Sequence, residues 1–496
     1  MILNNSTIRF LLLQNQKPDR ITNMKKSFVN TKSVFSLLIV LYLSLSACSQ
    51  PDGAALYQQY CATCHGADAK GGNSGSLVDG IWQYGAADNY KFRNVKFGIP
   101  HLGMPSFGEM LKDEEIKAIM KYVSDAEKNV GVIKPALVKE LEALDYKLNV
   151  EVFAEGLDVP WAIDFLDATT ALITEKPGRL RVVSKGKLLT EPVKNIPKVL
   201  NEGQGGLMDV AVDPNYSENG WIYLAFSHVL DKPKKGEDRP GAMTKIVRGK
   251  IVNNTWTDEQ VLFEASHEMY KTTRHHYGCR IVFDKKGYLY FAIGERGIKE
   301  DAQNISLPNG KMHRINKDGS IPDDNPFIND PKAIKSIYSF GNRNIQGIAI
   351  HPETDEVWAT EHGPMGGDEL NLIKSGKNYG WPVISYGINY DGSIITELTH
   401  QQGMEQPNLY WRPSIAVCGL DFYTGDLFKK WKNKLLVGAL KYEEVRLLDI
   451  EGDKVTHEEV ILKGQGRVRD VQTGPDGAIY VVLNDPGTVL KLMPKI

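Results

Sequence analysis

The sequence predicts a mainly β chain: a six-bladed β-propeller with a small all-α domain N-terminal to it. The first observation behind this is a phrase of apolar strand, DP- or DG-like turn and aromatic-containing strand that recurs six times. It reads PWAIDFLDATTALIT from Pro160, GLMDVAVDPNYSENGWIYLAF from Gly206 and CRIVFDKKGYLYFAI from Cys279. It returns as IQGIAIHPETDEVWAT from Ile345, GLDFYTGDLFKKWKNKLLVGAL from Gly419 and RDVQTGPDGAIYVVL from Arg469. Self-similarity of this kind is the mark of propeller blades, whereas a β-sandwich has no need to repeat one phrase. The second observation is the content of 46 Gly and 24 Pro, which implies many turns between short strands. A chain of 496 residues has room for two or more domains. Its 59 basic and 61 acidic side chains leave no basic excess, so nucleic acid is not expected as a partner. Five cysteines, unevenly placed, are too few for a disulfide scaffold and need separate accounts.

At the N-terminus, residues 1–23 show little organisation and Met24-Lys25-Lys26 is the more natural start. A short apolar run over 34–45 ends in Leu45-Ser46-Ala47-Cys48, the pattern of an export signal rather than a spanning helix. The LSAC terminus resembles a bacterial lipobox. This resemblance implies removal of residues 1–47 and a diacylglycerol on Cys48, with the mature chain anchored on the periplasmic side of a bacterial membrane without crossing it.

Next comes Cys61-Ala62-Thr63-Cys64-His65, whose two thiols can form thioether bonds to a haem while His65 supplies a proximal nitrogen to iron. A zinc half-site is the competing reading, but no second Cys or His pair lies nearby. Met104, in HLGMPSFGEM, is the sixth-ligand candidate, ahead of Met110. A thioether trans to His raises the haem potential, which suits an electron acceptor. A helix over 113–126 places Ile116, Ile119, Met120 and Val123 on one stripe. Residues 52–128 resemble a small class I cytochrome c domain. Residues 129–147, with a Pro, mixed charges and a short helical pattern, read as a linker to the propeller of 148–496.

The richest stretch is 338–387, which sets Arg343-Asn344, Gly363-Pro364 and Asp368-Glu369 in the loops of one blade. Loops on a rigid β scaffold commonly carry chemistry. Guanidinium, amide, backbone oxygens and carboxylates at one end suit an anionic, oxygen-rich ligand plus a hard cation such as Ca²⁺, although a loop tied down by its own contacts would use the same residues. Ahead of the third blade lies the run TRHHYGCR, from Thr273 to Arg280, in which His276 is the candidate general base, with a satisfied structural histidine as the alternative. Gln204, in NEGQGG, can reach a central site. Lys441, Arg467 and Arg469 would suit a polycarboxylate, Arg467 and Arg469 lying two apart and so on one face of a strand; solvated surface cations are the alternative.

GQGGLMDVAVDP, HHYGCRIVFDKKGYLYFAIGERG, GNRNIQGIAIHPETDEVWATEHGPMGGDELNLI, GKNYGWPVISYG and RVRDVQTGPDG resemble the soluble PQQ-dependent aldose sugar dehydrogenases of the glucose/sorbosone dehydrogenase family. The resemblance runs from about Leu148 to the C-terminus and implies a propeller holding pyrroloquinoline quinone (PQQ) against Ca²⁺. It implies that His276 takes the sugar hydroxyl proton and that Arg343, with Asn344 beside it, stabilises negative charge on the cofactor. It assigns the cofactor carboxylates to Lys441, Arg467 and Arg469, and a cofactor or substrate contact to Gln204. The catalytic Ca²⁺ falls to the backbone oxygens of Gly363 and Pro364, and a calcium site nearby to Glu369 and Tyr379. Joined to the haem module, this describes a quinohaemoprotein that oxidises an aldose and passes electrons through haem c to another cytochrome or respiratory component. The alternatives are a sorbosone-like aldehyde or polyol substrate, or a non-catalytic carbohydrate- or partner-binding propeller beside an independent electron shuttle. Three positions depart from the soluble glucose dehydrogenase: His275 stands in place of Asp, and Arg296 and Arg412 stand where Gln and Trp would contact sugar or cofactor. Tyr410 and Trp411 offer a stacking face, with burial in the blade as the alternative. Cys279 and Cys418 fall where the family often has Gly or Ser, near the pocket and within conceivable reach of a disulfide.

Overall fold

The computed structural model describes residues 51–72, 74–78, 88–99, 104–130 and 137–495. The leader and Cys48 lie outside the described residues. The repeats fold into six antiparallel sheets, the blades. Their innermost strands are Pro160–Asp167, Leu207–Val212, Ile281–Phe283, Ile345–Ile350, Val417–Phe422 and Val468–Thr473, for blades 1 to 6. Successive inner strands pack on one another, including blade 6 on blade 1, so the ring closes. Closure uses both ends of the propeller: Lys147–Ala154 pairs antiparallel with Thr488–Pro494 in the sixth sheet. Glu140–Glu142, inside the stretch read as linker, pairs in turn with that N-terminal strand. The pairing covers an edge that would otherwise expose a row of backbone donors and acceptors.

Aspartates staple the ring. Asp164 accepts the Val212 N–H at 2.6 Å, Asp209 that of Ile281 at 2.7 Å and Asp368 that of Val417 at 3.1 Å. Asp421 accepts Thr473 N–H at 2.7 Å and Asp470 accepts Ile163 N–H at 3.2 Å. Each bond joins one blade to the inner strand of the next. At the centre the buried Arg280 guanidinium pairs with Asp209 at 2.9 Å and Asp470 at 3.2 Å, and donates to the carbonyls of Gln346 and Arg469. Register shifts at the start of the inner strands of blades 1, 4, 5 and 6 fall at Trp161, Gln346, Cys418 and Arg469. A bulge re-aims its side chain, and these four meet: Arg469 lies 3.9 Å over the Trp161 ring and donates to Gln346 at 3.1 Å and to Cys418 Sγ at 3.4 Å.

The N-terminal module contains α1 (Gly53–Tyr60), α2 (Ala62–His65), α3 (Asp88–Phe97) and α4 (Asp113–Val130). Acidic residues Asp113, Glu114 and Glu115 open α4, where they complement the positive end of the helix dipole. The expected stripe is buried at Ile116, Ile119 and Val123, packed with Tyr57, Phe107 and Leu111. Among the described residues no helix is long and apolar enough to cross a membrane.

Candidate active site and haem site

His276 stands in the loop before the blade 3 inner strand, with φ +55°, a left-handed conformation that surrounding contacts must enforce. Its backbone N–H is held by Gln204 Oε1 at 2.7 Å. Its ring Nδ1 lies 2.8 and 2.7 Å from the two carboxylate oxygens of Glu295. A carboxylate can only accept there, so Nδ1 carries the proton and Nε2 is left as the basic atom. Burial, then the nearby Arg343 charge, lowers the His276 pKa to about 4, so the imidazole is neutral at physiological pH. Burial opposes charge on Glu295, but the hydrogen bond and charge of His276, with Arg343, hold its pKa below the ordinary value. Gly294 lets the two loops approach: a Cβ there would lie 2.5 Å from His276 O and 2.7 Å from Asn344 Oδ1. Sequence reasoning missed Glu295; its signal was GERG, a charged pair flanked by glycines at the end of the blade 3 strand.

Arg343 and Arg469 are buried, and Arg343 donates to the carbonyls of His362 and Gly363, both at 2.8 Å. Arg343 Nε, Arg469 Nε and His362 Nε2 are buried and have no hydrogen-bond partner. The three belong together: burial, then Arg469, Arg343 and His276, depress the His362 pKa far below its usual value. Asn344 is buried beside them, its Oδ1 accepting the Gly278 N–H at 3.1 Å. Lys441 is half-buried next to the Gly363-Pro364 turn, with Nζ 3.4 Å from Ser414 O, while Ser414 Oγ donates to Pro364 O at 3.0 Å. Arg467 precedes the strand and keeps exposed surface, yet burial of its guanidinium and then the Arg469 charge lower its pKa, so the two cations stand close although the bulge between Val468 and Asp470 breaks the simple alternation. Lys176, not singled out from the sequence, is another cation close to Arg469, its pKa lowered by burial and then by that charge.

The positions that depart from the family pattern behave unevenly. Arg296 is fully buried. Arg412 lays its stem against Gly366. Trp411 is buried, its Nε1 donating to Glu458 at 2.7 Å, whereas Tyr410 is 44% exposed and stacks on Tyr386 at 4.0 Å. Cys279 and Cys418 are buried free thiols.

A cavity of about 10 Å³ lies between Arg343, Glu361, Gly363, Pro364, Glu369 and Tyr379, room for about one water-sized sphere. Glu361 and Glu369 are cross-strand partners. Burial raises the Glu361 pKa to about 7; burial and then the Glu361 charge raise Glu369 to about 8. Two buried carboxylates forced together in this way favour a cation between them. Further ligands to a hard cation would be oxygens, from backbone carbonyls, an amide side chain or water. The Tyr379 hydroxyl is not one of them: it donates to Leu372 O at 2.6 Å and accepts the Lys374 N–H at 2.8 Å, which leaves only the Tyr379 carbonyl. Asp368 is committed to the Gly363 and Val417 N–H groups. Glu361 was missed because its sequence context, WATEHGP, reads as strand.

In the N-terminal module Cys61 and Cys64 are free, Cys64 exposed, and His65 Nδ1 donates to Gly75 O at 2.9 Å. That bond fixes the tautomer and leaves Nε2 for iron, the usual outer-shell device of a ligating histidine. Met104 is bridged to Ile99 and packs against the helical core, whereas Met110 is 56% exposed. With Met104 as sixth ligand, Met104→Ala should lower the haem reduction potential in a redox titration, since a thioether ligand raises it. Met110→Ala should leave the potential unchanged.

The family described as Glucose / Sorbosone dehydrogenase matches residues 157–491, and Cytochrome C oxidase, cbb3-type, subunit III matches residues 49–123. The chain is 42% identical over 366 residues to aldose sugar dehydrogenase YliI of Escherichia coli K12, covering 72% of this chain and 96% of that one. It is 26% identical over 423 residues to quinoprotein glucose dehydrogenase B of Acinetobacter calcoaceticus, covering 69% and 87%. The crystal structure of the soluble aldose sugar dehydrogenase from Escherichia coli in the apo-form superposes with a TM-score of 0.66 at 41% identity, over 70% of this chain and 100% of that one. The propeller with its buried His–Glu pair, and the CxxCH module ahead of it, thus belong to an oxidoreductase of the glucose/sorbosone dehydrogenase family that carries an N-terminal cytochrome c domain.

Proposed function

We propose that the chain oxidises an aldose sugar with PQQ and Ca²⁺ bound in the propeller and passes the electrons to haem c in the N-terminal module. The observation that carries this reading is the neutral His276 imidazole on the Glu295 carboxylate, beside two buried donors, Arg343 Nε and Arg469 Nε, that have no acceptor. Buried donors without partners are costly, and an acidic, oxygen-rich cofactor supplies what they lack. Arg343, Arg469 and Lys441 would hold its carboxylates and carbonyls, with Arg467 at the exposed rim; Gln204 and Asn344 fix the loops around them. The cavity between Glu361 and Glu369, with the Gly363, Pro364 and Tyr379 carbonyls, suits Ca²⁺ in size and donor type. When bound, PQQ supplies a two-electron quinone acceptor, Ca²⁺ a Lewis acid, and haem a one-electron carrier.

His276 Nε2 takes the hydroxyl proton of the sugar as the substrate is oxidised, and Glu295 stabilises the imidazolium that results. The N-terminal module lies against the same end of the propeller. Arg93 of α3 donates to Met365 Sδ at 3.2 Å, one residue beyond the Gly363-Pro364 turn. Joining donor and acceptor in one chain replaces an encounter by a high effective concentration. The LSAC pattern supports export and a lipid anchor at Cys48, with a cytochrome or other respiratory component as the next acceptor. With Arg296 buried and His275 exposed, the rim differs from a glucose site, which favours testing sorbosone-like aldehydes in the same substrate panel. The decisive experiment adds PQQ and Ca²⁺ to the haem-loaded protein and follows the reduced haem band after sugar is mixed in. Haem reduction on the timescale of turnover is expected; bound PQQ with no haem reduction by any aldose or aldehyde would instead favour a binding propeller.

A further inference from the structure

The residue after Glu295 is a charge in an unusual setting. The Arg296 side chain is 0% exposed, and its Nε is buried without a hydrogen-bond partner. Its guanidinium lies 3.4 Å over the Tyr277 ring. It donates through Nη1 to His275 O, and through Nη2 to Thr273 O at 2.8 Å and Ala242 O at 3.4 Å, while its own carbonyl accepts from Thr273 Oγ1. Both Arg296 and His276 have positive φ, at +59° and +55°. A left-handed non-glycine residue persists only where its surroundings over-determine it. Gln204 holds the His276 N–H from one side; the carbonyls on the other side, at residues 273 and 275, are held by Arg296.

We propose that Arg296 is a positioning residue for the general base: its guanidinium grips the Thr273 and His275 carbonyls and presents His276 to the pocket, and it does not contact sugar or cofactor. The proposal rests on the assignment of His276 as base. Lysine cannot replace this planar fork, which reaches several separated carbonyls at once, so Arg296→Lys should fail much as Arg296→Met does.

The test uses the haem-loaded protein with PQQ and Ca²⁺. For Arg296→Met and Arg296→Lys, kcat should fall tenfold or more, while KM for the sugar and the PQQ dissociation constant, read by titrating quenching of protein fluorescence, stay within about twofold. Guanidinium added to Arg296→Ala should restore part of kcat. Unchanged kcat overturns the proposal, a rise in KM alone points to a sugar contact, and weakened PQQ binding in step with activity points to a cofactor contact. If the Arg296 variants do not fold, Tyr277→Leu, which removes the ring under the guanidinium, must show the same kcat-specific loss for the proposal to stand. His276→Ala in the same assay separates the two claims. If it turns over normally the base assignment fails, whereas an inactive His276→Ala beside a fully active Arg296→Met sinks the clamp alone.

Discussion

His276→Ala should lower kcat by about 10²–10⁴-fold, the range general-base catalysis contributes, with PQQ affinity nearly unchanged. The imidazole offers Nε2 as base and commits Nδ1–H to Glu295, so its removal takes away the proton acceptor without touching Arg343 or Arg469. The pH profile gives a second check. Burial and the Arg343 charge put the His276 pKa at about 4, and a base works when unprotonated. The acid limb of kcat/KM set by this group should therefore lie near pH 4, with no further loss of base between pH 5 and 8. Glu295 raises that pKa, so Glu295→Gln should move the limb lower still and reduce kcat, because a less basic imidazole has less drive to take the proton. An acid limb near pH 6.5 that disappears in His276→Ala would show an imidazole more exposed than this structure has it.

The fold was legible because a propeller blade is local. Strand, turn and strand lie within one stretch of sequence, and alternation, DP or DG turns and aromatic returns signal each unit without knowledge of its neighbours. CxxCH and the helix of 113–126 were legible for the same reason. What escaped depends on residues far apart in the chain. Glu140–Glu142 looked like linker because the strand it extends is completed by Thr488–Pro494, at the other end of the sequence. Arg467 and Arg469 were expected on one face by the period of two; a bulge at Arg469 breaks that period, which local sequence does not show, although the two charges stay close. Glu295, Glu361 and His362 were hidden for a third reason. Glu295 and His362 each flank a residue that was noticed, Arg296 and Gly363, while Glu361 closes a strand just before that turn, and only the folded loop decides which neighbour turns inward. Arg296 illustrates the same ambiguity, since a charge beside a catalytic pair reads as a ligand contact until its burial is known.

Calcium removal should destabilise the propeller more at pH 8 than at pH 6. Without a cation, burial lifts Glu361 to about 7 and Glu369 to about 8 from the ordinary 4.5, so the folded protein binds more protons than the unfolded chain across that interval. Stability of the cation-free form therefore falls as pH rises from about 4.5 to about 8, because unfolding releases the carboxylates to ionise in water. A bound cation keeps both carboxylates charged in the fold and removes that penalty. At a hundredfold excess over Kd, binding adds about 2.7 kcal/mol. For a domain of this size that is a rise in Tm of about 3–5 °C. The Tm gap between Ca²⁺ and EGTA samples should thus widen from pH 6 to pH 8. Glu369→Gln provides the control: it removes one of two repelling charges, so it should raise the Tm of the EGTA sample at pH 8 and abolish the calcium increment. A gap independent of pH, or one that survives Glu369→Gln, would place the ion elsewhere in the chain and leave Glu361 and Glu369 as a proton-sharing pair.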